Sequence, residues 1–113
     1  MKSDCNGEDH STPVESPIDE AVCLRAASIF RALGDPGRLS VLVLLAQQEK
    51  CVTEIALALD EQMTTISQRL RLLKSERLVR SRREGKHLFY SLADTHVAHL
   101  VANAIDHAQE TDH

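Results

Sequence analysis

VTEIALALDEQMTTISQRLRLLKS, residues 52–75, holds two helical patterns with almost nothing between them. Residues 52–59 are apolar enough for one short helix, Asp60 and Glu61 make a turn, and a second helix runs from about Met63 to Ser75. Within that second helix Ile66, Leu70 and Leu73 recur at i, i+4 and i+7 and predict a core stripe, while Thr64, Gln68, Arg71 and Ser75 form a polar stripe at the same spacing. Two short helices joined by so tight a turn predict a helix-turn-helix, with one face of its second helix packed and the other free.

Residues 78–83 and 87–92 are short strand-forming segments around Glu84-Gly85, a hairpin signal, with Arg80, Arg82, Arg83 and Lys86 at or near its tip. A helix-turn-helix followed by a basic hairpin predicts a winged helix. Upstream, Val22, Ala26, Ile29, Phe30 and Leu33 follow Ile18 at helical spacing and Gly34 ends the pattern. Asp35-Pro36 then starts a second helix that is expected to carry Leu39, Leu42, Val43 and Ala46 inward. Residues 94–110 predict a last helix capped by Asp94, whose Val97, Val101, Ala104 and Ala108 fall at the spacing of a helix-pair seam. The expected fold is mainly α with a β-hairpin wing: a winged helix-turn-helix of four helices, two strands and a final helix, in a homodimer. Residues 1–17, with Pro13 and Pro17 and no periodicity, read as a flexible arm, and residues 18–113 as one DNA-binding and dimerisation domain.

The chain has 113 residues, room for one domain, and a formal net charge of -4 that would ordinarily argue against a nucleic-acid partner. Its distribution reverses that inference. Residues 61–90 carry eight bases against three acids, whereas residues 1–20 carry six acids against one base and residues 91–113 four acids and no base. Arg69, Arg71, Lys74, Arg77, Arg80, Arg82, Arg83 and Lys86 fall within eighteen residues, a density suited to phosphate. Aromatic residues make up 3% with no Trp, so base-stacking platforms are not expected as the mode of binding. No apolar run reaches membrane-spanning length and the start does not look like a signal peptide, so a cytoplasmic protein with no membrane contact is expected. Cys5, Cys23 and Cys51 are an odd set for a reducing compartment and point to thiol or metal chemistry, with Cys23 itself expected as a small buried hydrophobe.

His96 and His107 are eleven residues apart, which places them within about 20° on one helix face but roughly 16 Å apart along the axis. One helix cannot bring both to one ion. His107 and Glu110 can share an ion at i, i+3, and Asp94 can turn toward one held by His96. Two such helices, antiparallel about a two-fold axis, would build two sites, each from Asp94 and His96 with the partner subunit's His107 and the partner subunit's Glu110. That donor set suits tetrahedral Zn²⁺, with Co²⁺ as a substitute. A second cluster, Cys51 and Glu54 with Cys5 and His10 from the arm, would make a mixed thiolate site for Zn²⁺, Cd²⁺ or Pb²⁺.

The segments ALGDPGRLSVLVLL, CVTEIALAL, TTISQRLRLLKSERLV, REGKHLFYSLAD and DTHVAHLVANAIDHAQE resemble the ArsR/SmtB family of metal-responsive winged-helix repressors from about Ala27 to Glu110. The pattern D-x-H, ten residues, H-x-x-E of the SmtB-like, cyanobacterial-type zinc sensors is matched by Asp94, His96, His107 and Glu110. The resemblance also implies the second site of Cys5, His10, Cys51 and Glu54, with the C-terminal site as the regulatory one. Four departures stand out: the spacing from Cys5 to His10 is one residue longer than in the zinc-sensor pattern, Thr53 replaces the second cysteine of the cadmium and lead sensors, Gln68 replaces a common His, and Gln62 replaces a common Ser or Thr cap.

The function expected on this basis is a dimeric repressor that holds an inverted-repeat operator in double-stranded DNA when metal-free and is released by excess Zn²⁺, with Cd²⁺, Co²⁺ or Pb²⁺ as alternative ions. Thr64, Thr65, Ser67 and Gln68 would meet base edges, and Arg71, Lys74, Arg82, Arg83 and Lys86 would meet phosphates. By resemblance, a free ring nitrogen of His107 would pass the metal signal to backbone near Gln68. A thiol-based redox or persulfide sensor on the same fold, using Cys23 or Cys51, is the alternative. Enzyme activity is not expected, because nothing pairs a nucleophile with a base and four protein ligands leave a metal no open position.

Overall fold

The computed structural model describes residues 16–110. Helix α1 (Glu20–Leu33) starts at Asp19, whose carboxylate accepts the Ala21 amide at 2.8 Å, and ends at Gly34. Asp35 at once caps α2 (Pro36–Gln47) by accepting the Arg38 amide at 3.0 Å. The Arg38 side chain closes the corner, donating to the carbonyls of Ala32 at 2.9 Å and Arg31 at 3.2 Å in the last turn of α1.

Helix α2 is the hub of the fold, packed against α1, α3, α4, α5 and the last strand. Its buried residues are Val41, Leu42 and Leu45, while Leu39 and Val43 are half-buried and Ala46 is exposed. The expected inward set therefore holds only in part. A helix apolar on nearly every side gives no periodicity from which to choose one face.

Strand β1 (Lys50–Cys51) leads directly into α3 (Val52–Leu59). The turn after α3 is made by Asp60 in the left-handed region (φ 55°), and the Glu61 amide donates back to the Ala56 carbonyl at 3.0 Å. Asp takes this conformation more readily than most residues, so the tight turn needs no glycine. Helix α4 (Met63–Ser75) buries Ile66, Leu70 and Leu73 completely, as its stripe predicts. Past α4, Arg77 also adopts a left-handed conformation (φ 62°), with the Leu78 amide donating to the Leu73 carbonyl at 2.9 Å and the Arg77 amide to that of Lys74 at 3.0 Å. This is a Schellman ending that turns the chain into the wing.

Strands β2 (Val79–Glu84) and β3 (His87–Leu92) pair antiparallel from Val79 opposite Leu92 to Glu84 opposite His87, with Gly85 (φ 63°) in the turn. Strand β1 adds to the free edge of β3, Lys50 opposite Tyr90 and Cys51 opposite Phe89, so the sheet order is β1-β3-β2. The third strand is absent from the sequence reading, because two residues show no alternation and their partners lie far along the chain.

Helix α5 (Thr95–Gln109) returns across α2 and β3. Val97 and Val101 are buried in the chain's own core, whereas Ala104 and Ala108 are exposed. The four do not form one free seam as expected: the valines are consumed within the subunit. Apolar surface lies instead on and beside α1, where Ile18, Val22, Leu24 and Phe30 are exposed, and Cys23 is exposed too, contrary to its expected burial. Among the described residues no helix is long and apolar enough to cross a membrane.

Candidate functional site

The buried stripe of α4 fixes which way its other face points. Thr64, Ser67, Gln68, Arg71 and Lys74 are exposed on it, while Thr65 is half-buried and the least available of the set. Gln62 precedes the helix without a side-chain capping bond, so its amide and the first backbone N–H groups of α4 remain open. Arg69 faces elsewhere: it pairs with Glu61 at 3.2 Å and lies so close to α2 that a Cβ on Gly37 would stand 2.6 Å from its guanidinium carbon.

The wing is tied to α4 by Lys74, whose Nζ donates to Ser81 Oγ at 2.8 Å. Arg71, Arg83 and Lys86 are exposed and form no ion pair among the described residues. Arg82 is different. Its Nε and Nη2 each donate to a separate oxygen of Glu49 at 2.8 Å, its Nη1 donates to Glu84 at 3.0 Å, and its guanidinium lies 5.0 Å from the centre of the Phe89 ring. The Arg82 guanidinium in turn holds the Glu49 carboxyl below the usual carboxylate range. Glu49 carries no motif in the sequence, and only the β1–β3 pairing brings it to the wing.

On α5, two imidazole–carboxylate pairs stand at opposite ends of the helix. Asp94 caps the helix by accepting the Val97 amide at 3.0 Å, and the same carboxylate oxygen lies 3.8 Å from His96 Nδ1. At the other end His107 Nδ1 is 3.7 Å from Glu110 Oε1. All four side chains are largely exposed, the imidazoles 93% and 87%. Metal bonds near 2.0–2.1 Å in a tetrahedron set two donors about 3.3 Å apart, so each pair is within about half an ångström of a tetrahedral edge. The donor set thus fits Zn²⁺ or Co²⁺, two donors at each end. Among the described residues of one chain no three His, Cys, Asp or Glu side chains converge on a common point. His107 also donates no hydrogen bond to backbone near Gln68 among the described residues.

Cys51 and Glu54 are adjacent, but first for a local reason. Glu54 Oε1 accepts the Cys51 amide at 2.9 Å, the reach-back half of a capping box at the start of α3. That amide, and then the Cys51 thiol, hold the Glu54 carboxyl below the usual carboxylate range. The other two residues of this second cluster, Cys5 and His10, lie outside the described residues.

Residues 35–81 match the family model described as bacterial regulatory protein, arsR family. The chain is 46% identical to a transcriptional repressor SmtB homolog from Synechocystis sp. over 88% of its own length and 74% of the relative's. It is 39% identical to a cadmium resistance transcriptional regulatory protein CadC homolog from Staphylococcus aureus, over 85% and 75% of the two chains. Among solved structures it resembles the homodimeric winged helix-turn-helix DNA-binding domain of a possible ArsR-family regulator from Mycobacterium bovis, with a TM-score of 0.75, 39% identity and coverage of 83% and 91%. These relatives are transcriptional regulators and not enzymes. With its winged helix, bare α4 face and basic wing, the chain belongs to the ArsR/SmtB family of transcriptional repressors.

Proposed function

We propose that this cytoplasmic repressor grips an inverted-repeat operator as a metal-free homodimer and releases it when Zn²⁺ joins the two ends of α5 across the dimer. The observation that carries the reading is the pairing of His96 with Asp94 and of His107 with Glu110 at opposite ends of one exposed helix. Separated by about 16 Å, the pairs cannot share an ion within a subunit, but an antiparallel two-fold mate supplies the missing half to each. The apolar residues left exposed along α1 support the same dimer.

On DNA, Thr64, Ser67 and Gln68, with the less exposed Thr65, meet base edges in the major groove, a reading supported by their exposure on α4. Gln68 suits adenine. Arg71, Lys74, Arg83 and Lys86 meet phosphates, a contribution that weakens as salt rises. Bound Zn²⁺ supplies a cross-link between imidazole and carboxylate donors of the two subunits. Linkage requires operator DNA to weaken Zn²⁺ binding by the same factor by which Zn²⁺ weakens DNA binding. Co²⁺, Cd²⁺ and Pb²⁺ are candidate substitutes, and Cys51 and Glu54 with Cys5 and His10 form the second site, subordinate to the one on α5. His107, through its ring nitrogen not bound to metal, carries the signal toward α4.

The test is fluorescence anisotropy of the protein on the intergenic DNA beside its own gene, titrated with each metal. Release by Zn²⁺ at about two ions per dimer, lost in His107→Gln, is the expected result. Release by oxidant in the wild type, with no response to Zn²⁺, would establish the thiol alternative instead.

A further inference from the structure

Arg82 has the sequence context of a phosphate contact, and the structure spends it elsewhere. Its fork is matched by both oxygens of Glu49, its remaining edge by Glu84, and its face by Phe89. The level at which this happens matters. Arg82 pairs with Phe89, and Phe89 with Cys51, which makes this the outermost rung of the sheet with three strands. Beyond it only Arg83 opposite Leu88 and Glu84 opposite His87 remain, a two-stranded ribbon ending in the turn that carries Lys86. Such a ribbon has little stiffness of its own, and its tip lies about 10 Å beyond the rung, so a small tilt there displaces the tip appreciably.

We propose that Arg82 is a positioning residue and not a DNA contact: held by Glu49 over Phe89 at the base of the free ribbon, it sets the tilt at which Arg83 and Lys86 reach phosphate. This rests on the DNA-binding reading above. An exposed single ion pair contributes little, but a two-pronged carboxylate clamp combined with an aromatic face is of the stronger kind, and here it has only to bias a hinge. Glu49 therefore becomes a residue that supports DNA binding although it is an acid near a polyanion's site.

That sign is the test. Operator affinity and its salt dependence are measured by anisotropy on a labelled duplex of the intergenic DNA for the wild type, Glu49→Gln, Arg82→Gln, Arg83→Gln and the double variant Glu49→Gln with Arg83→Gln, each verified as folded by thermal melting. Positioning predicts that Glu49→Gln weakens binding about threefold to tenfold and lowers the slope of log K against log salt, as Arg82→Gln does. It also predicts that Arg83→Gln costs less in the Glu49→Gln background than alone, which a general loss of stability would not produce. If Arg82 were itself a phosphate contact held back by Glu49, Glu49→Gln would bind more tightly; tighter or unchanged binding overturns the proposal. Failure of the wild type to bind the duplex overturns the DNA-binding reading itself, a separate outcome.

Discussion

Asp94 lies 3.8 Å from His96 with the same oxygen that caps α5, so the candidate metal half-site and the start of its helix share one carboxylate. The two roles separate by substitution. Asn caps a helix about as well as Asp, so Asp94→Asn should leave the unfolding free energy within a few tenths of a kcal/mol of wild type while removing a charged ligand. Asp94→Ala should lose both, costing about 1 kcal/mol of stability as well as metal affinity. Chemical denaturation and Zn²⁺ titration of the two variants check this, and equal stability of both would remove the capping role.

The half-sites also predict complementation. Take one chain with Asp94→Asn and His96→Ala, and a second with His107→Ala and Glu110→Gln. Each homodimer then has only incomplete sites, whereas a heterodimer of the two has one site with all four ligands and one with none. Mixed and refolded together, the chains should regain about one tight Co²⁺ site per heterodimer, read from the visible absorption of tetrahedral Co²⁺. Sites built within one chain would show no gain on mixing.

Helix-turn-helix and wing were legible because their signals are local. Ile66, Leu70 and Leu73 repeat within one helix, and Glu84-Gly85 marks its own turn. The nearness of His96 to Asp94 and of His107 to Glu110 was legible for the same reason, since helix geometry alone relates the members of each pair. What the sequence hides depends on contacts distant along the chain. Arg82 reads as a free base until β1 delivers Glu49, and Val97 and Val101 read as a dimer seam until α2 covers them. Cys51 and Glu54 are the intermediate case, a metal-like spacing that is also the spacing of a helix cap.

Two carboxylates make the acid limb of stability predictable in sign. The Arg82 side chain holds Glu49 low, and the Cys51 backbone amide holds Glu54 low. A carboxylate whose folded pKa is depressed contributes fully above its unfolded value, near 4.3, and that contribution is lost as the pH falls through the folded value. The stability differences between wild type and Glu49→Gln or Glu54→Gln should therefore be constant from about pH 6 to 7 and shrink below about pH 4. Urea denaturation across that range checks this; differences that grow toward acid would reverse the assignment.

Arg77 holds a position where helices usually place glycine. Its left-handed φ of 62° ends α4 through the bonds to Lys74 and Leu73, and a side chain with a Cβ is strained there by about 1–2 kcal/mol. Glycine relieves the strain but loses more backbone entropy on folding, so Arg77→Gly should gain about 0.5–1 kcal/mol, whereas Arg77→Ala keeps the Cβ and should gain nothing. Thermal and urea denaturation of the two variants separate backbone from side chain. Should both lose stability, the cause would be the loss of the long side chain, since Arg77 lines the groove between α1 and the start of α5 with Arg25, Asp94 and His96. A gain confined to the glycine variant would show that the turn from α4 to the wing is held under strain by the packing on either side of it.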